Sequence, residues 1–570
     1  MHLTARARIR IIGIVFCAIA LALTARLYFV QIVHGASYRD DALGQYVKQD
    51  PDTDERGAIF FSAKDGVQVP AAIMQHGWRV AIVPKDLADP ERAYAAISAA
   101  TPTDRERFFA SAAKKDDPYE EVAFRVESEA AARIRAQKIP GVLLVQDSWR
   151  FYPGNALAAQ VLGFVGYKGD RKTGLYGLER SYQDTLALVT DGKSVNPFAE
   201  IFANIGAALS FDPASHQGSV ITTIEPNVQR QLETVLDSVV KTYTPRIAGG
   251  IVMDPKTGRI VAMASRPSFD PNTYNLASDP AVYGNPLVEG RWEMGSIMKP
   301  LTMAAGIDTG TVSVATTYDD TGCISRSGAK ICNYDFKARG VVPMQEVLSQ
   351  SLNVGATFVE ERMGKTVFSR YISSLGFGEK TGIDLPNEVT GDIRALSGNA
   401  DVDFASASFG QGFAVSPIEM IRALSVLAAG GAMPQPFVGS AIKYESGITR
   451  SLERGAPVAV IKPETAQTVT DMLVKVYDTA LLKGALTHEH YSIAAKTGTA
   501  QIGKPGGGGY YEDRYLHSFF GYFPAHDPKF IIFLFAVEPH GVEYASASLA
   551  HPFDDLASYL IRYYDLPPDR

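Results

Sequence analysis

The stretch Glu293-Met294-Gly295-Ser296-Ile297-Met298-Lys299-Pro300 holds a serine followed three residues later by a lysine. On a helix, positions i and i+3 share a face, so the Lys299 amine can reach the Ser296 hydroxyl. A serine hydroxyl is a weak nucleophile until an adjacent base takes its proton. Lysine can be that base only where burial or a second cation lowers its pKa. A helix opening at Ser296 would add the positive end of its macrodipole. Alone, Ser-x-x-Lys is also an ordinary pattern on a solvated helix face, so the chemistry depends on further groups.

Two such groups follow. Ser351-Leu352-Asn353 comes after a helical pattern over Pro343–Gln350, and Lys496-Thr497-Gly498-Thr499 continues a strand-like run, Ser492–Ala495. Each has a plainer reading. Ser351 and Asn353 are good helix caps, and Lys-Thr-Gly after a strand can be a turn. Taken together and in this order, Ser-x-x-Lys, Ser-x-Asn and Lys-Thr-Gly make the motif set of penicillin-recognising acyl-serine enzymes. Other chemistries find less support. His488-Glu489-His490 reads as a solvated polar segment rather than a metal site, and no metal is expected. Gly506–Gly509 is not followed by Gly-Lys-Ser/Thr and does not read as a phosphate cradle. Gly-x-Ser-x-Gly is absent, so an α/β-hydrolase has no support.

The elements that must position these residues fall into two patterns. From 34 to 218, short β-like runs such as Trp78–Val83 and Val142–Val145 alternate with helical patterns such as Ser128–Gln137, and no chemically plausible cluster stands out. Lys114-Lys115-Asp116-Asp117 reads as a solvated loop. From 219 to 570 the pattern changes. Val220–Ile224 reads as a strand, and Pro226 opens an amphipathic helix to about Tyr243. Gly249–Asp254 and Arg259–Ala264 form a predicted hairpin. Helical patterns dominate from Pro300 to about Ala429. Strands return at Ser492–Ala495, His517–Phe523 and Phe530–Val537, and a helix at Phe553–Tyr564. Strands at both ends with helices between predict an α+β fold: one antiparallel sheet, completed by distant parts of the chain and covered by helices.

The 570 residues are too many for a single core, and an apolar content of 46% argues against extensive disorder. A net charge of −7 gives no reason to expect nucleic acid. Residues 1–10 carry Arg6, Arg8 and Arg10 and no acid, and an apolar run at 11–33, interrupted by Arg26, is long enough to cross a bilayer. The reading favoured is a cytoplasmic tail (1–10) and a single uncleaved transmembrane anchor (11–33), with the body outside the cytoplasm. A cleaved signal peptide is the competing reading, but Ala18-x-Ala20 lies within the apolar run rather than after it. Cys323 and Cys332 are either a local disulfide or two free thiols, depending on the compartment.

In these motifs the chain resembles the class B penicillin-binding proteins, monofunctional FtsI-like transpeptidases of bacterial cell-wall synthesis. Arg56-Gly57-Ala58-Ile59 looks like that family's membrane-proximal motif. Arg150–Pro153 and Gly177-Leu178-Glu179 look like its pedestal motifs. Gly410-Gln411-Gly412 with Ser416-Pro417, and Phe519–Pro524, are similar to segments of its transpeptidase domain. One departure is Ser62-Ala63-Lys64-Asp65-Gly66, where Asp-Arg-x-Gly is usual. The resemblance implies a pedestal or dimerisation-type domain at 34–218 and a β-lactamase-like transpeptidase domain at 219–570. It implies a peptidoglycan stem peptide ending in D-Ala-D-Ala as substrate, with Ser296 as nucleophile and Lys299 as general base. Ser351 would relay a proton, Lys496 would repel charge on Lys299 and attract the substrate carboxylate, and Asn353 would hold a substrate amide. Thr497, Gly498 and Thr499 would line the substrate, and the backbone N–H groups of Ser296 and Thr499 would form the oxyanion hole. No cofactor is implied. Expected partners are lipid-linked precursor, β-lactams, a polytopic glycan polymerase and other divisome proteins, at the outer side of the cytoplasmic membrane. An elongation-type enzyme, a membrane-bound β-lactamase or sensor, and a non-catalytic scaffold are the alternatives.

Overall fold

The computed structural model describes residues 19–21, 23, 24, 26, 55–169, 171–187, 217–444, 446–507 and 509–570. The expected cytoplasmic tail, most of the expected anchor and Cys17 lie outside the described residues. Among the described residues, no helix is long and apolar enough to cross a membrane. The chain forms two compact units. Among the described residues, the smaller is built on 76–148; the larger comprises 56–75, 149–187 and 217–570. The segment 34–218 is therefore divided between the two.

In the smaller unit, the second half of the strand Gln68–Ile82 pairs antiparallel with Glu120–Val126. Three helices, Pro90–Ser98, Arg105–Ala112 and Ser128–Ala136, pack on it. Two have clear start signals: the Asp89 and Asp104 carboxylates accept from the N–H groups of Arg92 and Arg107. Val80, Ile82, Ile97, Phe108 and Ile134 form the core.

The larger unit is built on a five-stranded antiparallel sheet in the order Ala494–Gly503, Tyr510–Phe523, Phe530–Val537, Ile247–Met253, Ile260–Arg266. Strands from the two ends of the segment 219–570 thus meet at the centre of the sheet, as the strand pattern predicts. Phe530–Val537 is apolar throughout and buried throughout, as expected for a strand covered on both faces. Its alternate residues divide accordingly. Ile532, Leu534 and Ala536 join a core with Leu232 and Leu236 of the helix Pro226–Tyr243 and Phe553 and Leu556 of the helix Ala545–Tyr563. Ile531, Phe533, Phe535 and Val537 join the opposite core, with the helical region and the helix Pro417–Ala428. Pro226 stands at the first turn of its helix, and the Glu225 side chain accepts from Val228 N–H.

Three differences from the sequence reading are local. The run 317–343, within the predicted helical stretch, forms small hairpins, including Cys323–Arg326 with Ala329–Cys332. Their strands are four residues long, too short to show a period. The strand carrying Lys496 begins at Ala494 and extends to Gly503, so Lys-Thr-Gly is inside it rather than at a turn. The helix predicted from Phe553 begins at Ala545, ahead of Pro552.

Arg56, Arg150 and Glu179, separate in sequence, converge within the larger unit. Glu179 is fully buried. It receives Arg56 Nε at 2.5 Å and Arg150 Nε at 2.7 Å, and Tyr152 OH at 3.3 Å. Burial alone would raise the Glu179 pKa, but Arg150 and Arg56 hold it below the ordinary value. In the departing stretch, Lys64 Nζ donates to Asp565 at 2.8 Å and to the Tyr563 carbonyl at 2.6 Å.

Candidate active site

Ser296 lies in a 3-10 turn, Gly295–Met298, that runs directly into the helix Lys299–Asp308. The turn is held from two sides. Gly295, at φ +65°, donates its N–H to Gly410 O at 2.9 Å. A Cβ on Gly410 would lie 2.1 Å from Gly295 O, so only glycine fits there. On the other side the Lys496 strand packs so close that a Cβ on Gly498 would come 2.7 Å from Met294 O and 2.3 Å from Ser518 Oγ. Ser518 Oγ donates to Met294 O at 2.8 Å and fastens strand to turn.

The three motifs meet at one place. Lys299 Nζ is 3.0 Å from Ser296 Oγ, 3.1 Å from Ser351 Oγ and 2.6 Å from Ser351 O. Lys496 Nζ donates to Ser351 Oγ at 3.0 Å and to Thr497 O at 3.0 Å. Both amines are almost fully buried, at 1% and 3% exposure. Burial, then the charge of Lys496, pushes the Lys299 pKa well below its usual value. Burial brings Lys496 down to about 7. A neutral lysine has two N–H donors and one lone pair. The two donors match Ser351 O and Ser351 Oγ, which leaves the lone pair facing the Ser296 hydroxyl. That is the protonation state a general base requires.

Ser351 is held in the left-handed region, φ +56°, between the helices Met344–Ser349 and Asn353–Met363. A non-glycine residue adopts this at a cost of roughly 1 kcal/mol or more, and the Lys299 bond to its carbonyl helps to hold it. The helix-cap reading does not describe either motif residue. Leu352 occupies the cap position without a side-chain bond, and Asn333 Oδ1 accepts from Val354 N–H at 3.2 Å. Asn353 Nδ2 instead donates to Cys332 O at 2.8 Å. Cys332 is joined to Cys323 by a disulfide across the small hairpin. Thr497 and Thr499 are both partly exposed on the strand, and Thr499 Oγ1 accepts from Ala545 N–H at 3.1 Å, leaving its hydroxyl proton to donate.

Several supporting residues were not singled out by sequence. Ser518 and His517 sit in an otherwise apolar strand segment, which is a usable signal for a buried polar role. His517, paired across the sheet with Thr499, lies between Ser548 Oγ at 2.7 Å and Glu543 O at 3.0 Å. Asn333 had no such signal, whereas Gly410 stood in the Gly410-Gln411-Gly412 motif, without its role at the Ser296 turn. His488 contacts Asp554 at 2.6 Å, and no metal-binding group of His, Cys, Asp or Glu occurs among the described residues.

A serine beside a buried lysine, a second buried lysine and a bridging hydroxyl, on an antiparallel sheet covered by helices, define a serine acyltransferase of the penicillin-binding type. The penicillin binding protein transpeptidase domain matches residues 248–557, and the penicillin-binding protein dimerisation domain matches residues 54–196. Stage V sporulation protein D of Bacillus subtilis is 30% identical, over 97% of this chain and 84% of that one. The probable peptidoglycan D,D-transpeptidase FtsI of Caulobacter vibrioides is 27% identical, over 71% of this chain and 63% of that one. Among solved structures, apo penicillin binding protein 3 of Mycobacterium tuberculosis has a TM-score of 0.65 at 27% identity, covering 74% of this chain and 92% of that one. The chain belongs to the class B penicillin-binding proteins, and it is a serine-type peptidoglycan D,D-transpeptidase.

Proposed function

We propose that this chain cross-links peptidoglycan during septum formation, anchored in the cytoplasmic membrane with its catalytic unit on the outer side. The observation that carries the chemistry is Lys299 Nζ, 3.0 Å from Ser296 Oγ and buried beside Lys496. In this reading the neutral Lys299 amine takes the Ser296 proton as the oxygen attacks the penultimate D-Ala carbonyl. The oxyanion is met by the backbone N–H groups of Ser296 and Thr499; each such donor is worth about 3 kcal/mol in the transition state. Ser351, touching both lysines, passes the proton to the leaving D-Ala amine. Lys496, Thr497 and Thr499 attract and hydrogen-bond the terminal carboxylate, Gly498 lets the strand approach the nucleophile, and Asn353 holds a substrate amide. An amine from a second stem peptide then attacks the acyl-enzyme and releases Ser296. A β-lactam acylates Ser296 by the same route.

The test is labelling of the full-length protein by a fluorescent penicillin. Stable labelling of wild type and none of Ser296→Ala is expected; unlabelled wild type would point to a scaffold, and rapid loss of label to a β-lactamase. Cross-linking of lipid-linked precursor alongside a polytopic glycan polymerase then tests the natural reaction. The septal assignment is supported by the FtsI relative. A sporulation or elongation role is the second reading, favoured by the sporulation protein at 30% identity. A fluorescent fusion concentrated along the side wall or at a forespore, instead of at midcell, would select it.

A further inference from the structure

Ser351 and Asn353 are good helix caps by type, yet neither side chain caps the helix Asn353–Met363 that begins beside them. The Val354 N–H in its first turn is met from elsewhere in the chain, by Asn333 Oδ1 at 3.2 Å. Asn333 directly follows the disulfide-closed hairpin and is 1% exposed. Asp320, fully buried, orients its amide. Asn333 Nδ2 donates to both Asp320 oxygens at 2.9 Å and also lies 3.4 Å from Lys337 O. Gly322 N–H holds the same carboxylate at 3.1 Å. A carboxylate only accepts and a backbone N–H only donates. The Asn333 amide therefore fits one way round, with its oxygen on the helix.

That bond has a competitor within the motif itself. A serine three residues before a first-turn N–H can cap it with its own hydroxyl, provided its backbone is extended. Ser351 stands three residues before Val354. Its observed φ of +56° instead places its hydroxyl 3.1 Å from Lys299 Nζ and 3.0 Å from Lys496 Nζ. A left-handed backbone is strained for a serine, and turning to the extended, capping conformation would relieve it. The two uses of the hydroxyl exclude each other: turned to the helix, it leaves both amines. The same stretch of chain also braces the residue before it, since Arg339 Nε donates to Gln350 Oε1 at 3.0 Å.

We propose that Asn333 is a positioning residue for acyl transfer. By occupying the Val354 N–H it denies Ser351 the capping conformation and keeps the Ser351 hydroxyl between the two lysines, while Asp320 fixes the Asn333 amide. This rests on the role given to Ser351 in the transpeptidase reading above.

The test measures the rate of acylation of the full-length protein by a fluorescent penicillin, normalised to the amount labelled at completion so that unfolded protein drops out. Asn333→Asp sets two carboxylates face to face and should slow acylation about tenfold, the population shift expected from losing one cap. Adding Asp320→Asn exchanges donor and acceptor and restores the bonds to Gly322 and Val354. The exchanged pair should return to within about twofold of wild type. In a Ser351→Ala background, itself slow, Asn333→Asp should change the rate by less than about twofold, because no hydroxyl remains to be misplaced. Should Asn333→Asp fail to fold, Asn333→Ala in the same two backgrounds gives the comparison. An equal loss with and without the Ser351 hydroxyl would make Asn333 a merely structural residue and overturn the proposal. So would an unslowed single variant, or a folded exchanged pair that stays slow. Wild type that is never acylated is a different result: it removes the transpeptidase reading, and the positioning role with it.

Discussion

Lys496 Nζ and Ser351 Oγ are 3.0 Å apart, although 145 residues of chain separate them. Through that hydroxyl the two buried amines act on each other, since Lys299 Nζ also lies 3.1 Å from it. The pair explains how a lysine can serve as a base at all. Burial disfavours either charge, and a charge on Lys496 further disfavours one on Lys299.

The pH profile of acylation follows from that arrangement. The second-order rate with a β-lactam should rise with pH as Lys299 loses its proton, well below 10.5. It should fall again as Lys496, brought to about 7, becomes neutral and no longer attracts the carboxylate. Arginine does not titrate in this range, so Lys496→Arg should lower the peak rate and abolish the falling limb. Stopped-flow acylation from pH 5 to 9 checks this; a falling limb unchanged in the variant would sink the assignment.

Replacing the base itself should be more severe. Lys299→Met keeps an unbranched side chain of similar length but offers no lone pair for the Ser296 proton. Acylation should drop by about 10²–10⁴, the usual range for general-base catalysis, with thermal stability retained. Intact-mass measurement of the acyl-enzyme over time distinguishes slow acylation from unfolding.

Gly498→Ala is expected to uncouple strand and turn. The added methyl would come 2.7 Å from the Met294 carbonyl, and backbone cannot yield as a flexible side chain can. Overpacking of this kind costs about 1–3 kcal/mol. Penicillin labelling should fall far more than the melting temperature does. Wild-type labelling by the variant would show that the contact is looser than the structure has it.

Glu179→Ala should destabilise the larger unit by about 3–5 kcal/mol, because it leaves the Arg56 and Arg150 charges buried without their partner. The pH sign is fixed by the lowered Glu179 pKa. Its stabilisation is fully present above the unfolded-state carboxylate pKa and is lost as pH falls through the lower folded value. Melting curves of wild type and variant should therefore converge on acidification.

His517 should act in a neighbouring window. Burial lowers its pKa to about 4, so the unfolded chain binds its proton more readily than the folded one. Between the ordinary value of 6.5 and about 4, stability should decline with falling pH. His517→Gln should flatten that slope; an equal slope in the variant would assign it to other groups.

Much of this site was legible because its residues are short, contiguous motifs whose chemistry depends on type and spacing. Ser296 and Lys299 are one turn apart, so local geometry alone predicts their contact. The meeting of Ser351 and Lys496 with them is a tertiary fact, reachable only through the order of the motifs. The sheet was legible in Phe530–Val537, whose unbroken apolar run matches burial on both faces. The small hairpins at 317–343 were not, since pairs of four-residue strands lack a period and their stability comes from a disulfide and from Asn333 bonded to Asp320. The Arg56, Arg150 and Glu179 cluster was visible only as three separate fragments, because nothing local says that two guanidinium groups will share one carboxylate.

The placement of the outermost strand has a consequence for biosynthesis. A ribosome has joined more than four hundred and ninety residues before Lys496 exists, and the strands that seat it, Tyr510–Phe523 and Phe530–Val537, come later still. The nucleophile is thus made long before its surroundings, and a nascent chain carries Ser296 as an ordinary alcohol. Competence to react with the wall arises only once those strands are made, so a premature stop codon before Phe530 should yield inert protein rather than a weakened enzyme.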